Sequence, residues 1–78
     1  METKIIELIS EHFGIPVNEI DQELELRTDL NSTDLEIADF FQKIESNFQI
    51  PISHEEASQL QTVGDVISFV NDHVEENS

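Results

Sequence analysis

The residues best suited to chemistry sit together in Thr28–Phe41, TDLNSTDLEIADFF. Ser32 and Thr33 offer adjacent hydroxyls between Asp29 and Asp34. A hydroxyl at a helix start can act as a nucleophile in group transfer, or as an N-cap that accepts a backbone N–H. Thr33-Asp34-Leu35-Glu36 favours capping for Thr33, because it matches the S/T-x-x-E box that opens a helix. Such a cap contributes about 1 kcal/mol. Asp29, Asn31 and Thr33 also alternate like the opening of a calcium loop. That pattern then breaks: Asp34 stands where the loop needs a glycine, and Phe40 where it needs a bidentate glutamate.

Nothing else in the chain gathers reactive groups. Asn31-Ser32-Thr33 matches a glycosylation sequon, but the first thirty residues contain no apolar run of signal-peptide length, so the match reads as chance. His12, His54 and His73 lie far apart without ligand-spaced neighbours, which argues for no metal. There is no cysteine, and Gly14 and Gly64 are the only glycines, so no thiol nucleophile and no phosphate-cradling loop is available. Glu55-Glu56 and Glu75-Glu76 fall at helix ends and read as dipole complement and solvated charge. No catalytic constellation results, and the chain is not expected to be an enzyme.

The elements that would position these residues are helical. Ile5, Ile6, Leu8, Ile9 and Phe13 form a stripe over residues 2–13, ended by Gly14 and Pro16. Residues 15–32 lack a clean period. So long a connection should be pinned by Ile15, Val17, Ile20, Leu24, Leu26 and Leu30, with a short helical turn within it. From Thr33 onward, Ile37, Phe41, Ile44 and Phe48 recur at helical spacing, widened by Phe40; Phe48 is expected to be fully buried. Ser53-His54-Glu55-Glu56 is a second capping box, opening a short helix to about Leu60. Thr62-Val63-Gly64-Asp65 is a similar start, followed by a stripe of Val63, Val66, Ile67, Val70 and Val74 with Phe69 beside it, and a frayed tail at 75–78. No segment reads as a strand. The expectation is a single all-α domain over residues 1–78: a small four-helix bundle of three main helices and one short one.

Composition narrows the partners. Eighteen acids face only Lys4, Arg27 and Lys43, for a formal net charge of −15 on 78 residues. Phosphate backbones and anionic membranes require the opposite sign, so neither nucleic acid nor membrane is expected. Basic protein surfaces are favoured by long-range steering. No stretch is apolar enough to span a bilayer, and a soluble, cytoplasmic monomer is the expectation.

With these pieces assembled, the chain resembles the acyl carrier protein family. The resemblance rests on FGIPVNEI, on TDLNSTDLEIADFFQKIESNF and on IPISHEEASQLQTVGDVISFVNDH, and it covers nearly the whole sequence. In that family a serine between Asp and Leu at the start of the second helix carries 4′-phosphopantetheine, whose thiol holds the acyl cargo. Alignment on Leu35 places Asp34 at that position: the family's Asp-Ser-Leu reads Thr33-Asp34-Leu35. Loading requires a hydroxyl to attack the pyrophosphate of coenzyme A. A carboxylate is a poorer nucleophile, and its product would be a labile acyl phosphate. The resemblance therefore implies no cofactor as the sequence stands, and 4′-phosphopantetheine only if a hydroxyl is loaded, with Ser32 as the fallback.

By the same resemblance, Leu35, Glu36, Ala38, Asp39, Gln42 and Glu45 form the face that docks on enzymes. Leu26, Leu30, Ile37, Phe41, Ile44, Phe48, Ile52 and Leu60 correspond to the acyl-pocket core, which Phe40 and Phe41 would crowd. The function implied is an acidic module that docks on basic surfaces of acyl-transfer, synthase or phosphopantetheinyl-transferase enzymes without being loaded at Asp34. The alternatives are a working carrier loaded through Ser32, a carrier whose native serine was replaced by Asp34, or a plain interaction subunit on the same fold.

Overall fold

A computed structural model describes residues 2–74. Four helices follow one another: α1 (Glu2–Phe13), α2 (Asp34–Phe48), α3 (His54–Gln59) and α4 (Val63–Val74), with a 3₁₀ turn at Val17–Glu19 inside the long α1–α2 connection. Among the described residues there is no strand, only one isolated antiparallel bridge between Glu25 and Thr62. No helix is long and apolar enough to cross a membrane. The side chain of Val74 and the 75–78 tail lie outside the described residues.

Each helix starts and stops for local reasons. Gly14 ends α1 at φ 70, where its N–H and that of Ile15 return to the Ser10 carbonyl, at 2.9 and 3.3 Å. This is the left-handed C-terminal stop for which glycine is suited. α2 ends in the same way without a glycine: Gln49 adopts φ 57, and its N–H reaches the Glu45 carbonyl at 2.7 Å. A side chain there costs about 1–2 kcal/mol, which the adjoining core offsets through Ile50, buried just beyond it. Ser53 opens α3 with a complete capping box to Glu56. At α4, Thr62 Oγ1 accepts from the Asp65 N–H at 3.1 Å, while Asp65 accepts from the Gln61 and Thr62 N–H groups.

The core is wholly apolar among the described residues. Ile5, Leu8 and Ile9 of α1 meet Ile37, Phe40, Phe41 and Ile44 of α2 and Val63, Val66, Ile67 and Val70 of α4. His12 fixes the α1–α2 crossing, with Nε2 donating to the Glu36 carbonyl at 3.1 Å. Its ring lies edge-on to Phe13 and tilted against Phe40.

The α1–α2 connection is strapped to the start of α4. Leu26 N–H donates to the Gln61 carbonyl at 2.9 Å, Val63 N–H to Leu24 at 3.0 Å, and Gly64 N–H to Gln22 at 2.9 Å. Ile20 and Leu26 are buried beneath this strap, and Ile15, Leu24 and Leu30 pack partly against the core. Two expectations are corrected. Val17 does not pin the loop: it lies in the 3₁₀ turn, 50% exposed. Phe48 is half-buried and only packs against the core from its edge, because it is the last residue of α2, where the chain reverses.

Candidate functional site

The start of α2 is built by a reciprocal cap. Thr33, in extended backbone, accepts the Glu36 N–H on its Oγ1 at 3.2 Å, and Glu36 Oε1 accepts the Thr33 N–H at 2.9 Å. The Thr33 hydroxyl itself points at Glu36 Oε1, 3.3 Å away. Both lone-pair and proton sides of this hydroxyl are therefore engaged. Asn31, just before Ser32, adopts the left-handed conformation at φ 52. The Ser32 Oγ is shut off from solvent and has no hydrogen-bond partner.

Asp34, the first residue of α2, points outward with its side chain 93% exposed. A carboxylate is favoured there by the helix dipole. Arg27 reaches it from the loop, with Nε 3.4 Å from Oδ1. This single long contact between exposed groups contributes about 0–1 kcal/mol. The sequence offered only one hint of Arg27: it is one of three basic residues in the chain.

Beyond Asp34, Leu35 stands 72% exposed, and Glu36, Ala38, Asp39 and Gln42 share its exposure on α2. Glu45 differs from these. It is half-buried, and its Oε2 accepts the Ile52 N–H at 2.8 Å, which ties α2 to the chain entering α3.

Two surface hollows run between α2 and α3. One, of about 320 Å³, extends from Arg27 and Asp34 over Ile37 and Ala38 to His54, Ala57 and Ser58. The other, of about 170 Å³, continues from Ala38 and Ala57 past Phe41 to Glu45 and Ile52. They share Ala38, His54 and Ala57, so a single groove leads away from Asp34. Of the expected core positions, Leu26, Ile37, Phe41, Ile44 and Leu60 are buried, whereas Leu30, Phe48 and Ile52 are only partly so. His54, Ala57 and Ser58 were not among the expected site residues. They join the groove only because α3 folds beside α2.

The electrostatics are those of exposed acids. Glu56 is held below the ordinary carboxylate value by the Ser53 backbone N–H and, secondarily, by the Ser53 side chain and the charge of His73. No group of three or more His, Cys, Asp or Glu side chains among the described residues could hold a metal ion.

No family model matches the chain. An acyl carrier protein from Clostridium acetobutylicum is 33% identical over 73 residues, spanning 94% of this chain and 95% of the relative. The chain belongs to the acyl carrier protein family. A second acyl carrier protein, from Chlamydia caviae, is 31% identical over 90% of this chain and 91% of its own. Among solved structures, an acyl carrier protein from Enterococcus faecalis superposes with a TM-score of 0.80 at 28% identity, covering 91% of this chain and 90% of that one. This acyl-carrier-family member is a carrier-type module and not an enzyme. At the start of α2 the outward side chain is a carboxylate, one neighbouring hydroxyl is a cap and the other is enclosed.

Proposed function

We propose that the chain is an acyl-carrier-like docking module that is not loaded at position 34. It engages basic surfaces of enzymes that transfer, build or handle acyl chains. The observation that carries this is Asp34, a fully presented carboxylate at the first turn of α2, where the family resemblance expects a serine. The exposed face of Leu35, Glu36, Ala38, Asp39 and Gln42 supports docking, as does the net charge of −15. Glu45 braces that face through Ile52. The enclosed Ser32 Oγ argues against a carrier loaded there.

The test is intact mass after incubation with coenzyme A and a broad-specificity phosphopantetheinyl transferase. The parent chain is expected to gain nothing and Asp34→Ser to gain one phosphopantetheine. An adduct on the parent that Ser32→Ala abolishes would replace this reading with that of a working carrier. Failure of both forms to load would leave a plain interaction subunit.

A further inference from the structure

Asp34 does more than omit a nucleophile. A site that takes phosphopantetheine from coenzyme A must hold a pyrophosphate, so it must be rich in cationic groups. A carboxylate delivered to such a site is attracted, not repelled. Asp34 is free to be delivered. It is 93% exposed, sits on a turn closed by a complete capping box, and is tied only by the weak 3.4 Å contact with Arg27. Beside it, Leu35 supplies an apolar anchor, 72% exposed, within a rim formed by Glu36 and Asp39. An apolar side chain inside a charged rim has the arrangement of an interface with an apolar core and a polar edge. Eighteen acids against three basic residues steer the chain to a positive surface. Once there, no group can react: the Thr33 hydroxyl is held by Glu36, and the Ser32 Oγ is closed off.

We propose that this chain is a dead-end competitor of the enzymes that load carrier proteins, seating Leu35 and Asp34 where a carrier presents its serine and blocking turnover without being modified. The inference rests on the docking reading above.

The experiment follows loading of an ordinary, serine-bearing acyl carrier protein by a phosphopantetheinyl transferase and coenzyme A, with this chain added. The expected result is a rise in the apparent KM for the carrier, proportional to added chain, with kcat unchanged. Leu35→Ala should weaken the inhibition about tenfold, and Asp34→Ser should turn the inhibitor into a substrate. If Asp34→Ser is loaded but the parent does not inhibit at a large molar excess, the carboxylate excludes the chain; the inference fails while the docking reading stands. If the parent does not inhibit and Asp34→Ser is not loaded, both fall. Inhibition that Leu35→Ala leaves intact would assign it to charge alone and overturn the proposed surface.

Discussion

Gly64→Ala opposes two effects whose balance the structure decides. Gly64 is the second residue of α4, and alanine in a helix is favoured over glycine by about 0.5–1 kcal/mol. Sequence alone would therefore predict a gain. A Cβ at this position, however, would lie 3.0 Å from the Gln22 carbonyl oxygen and 3.3 Å from the Gln22 Cβ. Ordinary contacts between carbon atoms are about 3.5–4.0 Å. The loop must therefore retreat by a few tenths of an ångström. That retreat lengthens the Gly64-to-Gln22 hydrogen bond of 2.9 Å and loosens its neighbours, Val63 to Leu24 and Leu26 to Gln61, on the same strap. Each such bond contributes about 0.5–1.5 kcal/mol net. Weakening two or three of them outweighs the propensity gain and leaves a net loss of about 1–2 kcal/mol. For a domain of this size that lowers Tm by about 5–15 °C. Calorimetry gives the magnitude, and amide exchange at Leu26, Val63 and Gly64 should quicken selectively. Gly14→Ala is the control. A Cβ there meets nothing within 4 Å, but φ is 70, so it should cost about 1 kcal/mol through backbone conformation alone and spare the strap amides. A Gly64→Ala protein as stable as the parent, with unchanged exchange at Leu26, would refute the close-packed strap.

Phe40→Ala should cost about 3–5 kcal/mol by denaturant unfolding, because Phe40 is 0% exposed, and half-buried Phe48→Ala should cost clearly less; equal losses would contradict the packing. Tm should rise with ionic strength up to about 0.1–0.2 M salt, as screening shortens the self-repulsion of 15 net negative charges, and a flat profile would mean that the acids are better paired than their exposure indicates. The Glu56 carboxyl is held below its ordinary value of 4.5, first by the Ser53 backbone N–H, so its contribution is complete above that pH and fades as pH falls through the lowered folded value. Glu56→Gln should therefore be less stable than the parent near neutrality and converge with it in acid; a gap that widens on acidification would reverse the assignment.

The sequence determined what is decided within four residues along the chain. The capping boxes at Thr33 and Ser53 were legible because cap and partner are three residues apart and answer only each other's backbone. The stripe of Ile37, Phe41 and Ile44 was legible because helical spacing alone puts them on one face. Helical spacing likewise puts Leu35 opposite that stripe, whereas the place of Asp34 came from the family resemblance.

What the sequence withheld depends on segments distant in the chain. Ser32 and Thr33 look alike as hydroxyls, yet the Ser32 Oγ is shut off from solvent in the folded chain. Arg27 meets Asp34 seven residues on, because the loop turns back to the head of α2. Leu26 meets Gln61 only when the strap closes on α4. Phe48 has the spacing of a core residue but stands where α2 ends, and no element covers its far side well enough to bury it. Local hydrogen bonds are fixed by spacing, but burial is fixed by what the rest of the chain lays on top, and only the tertiary structure decides that.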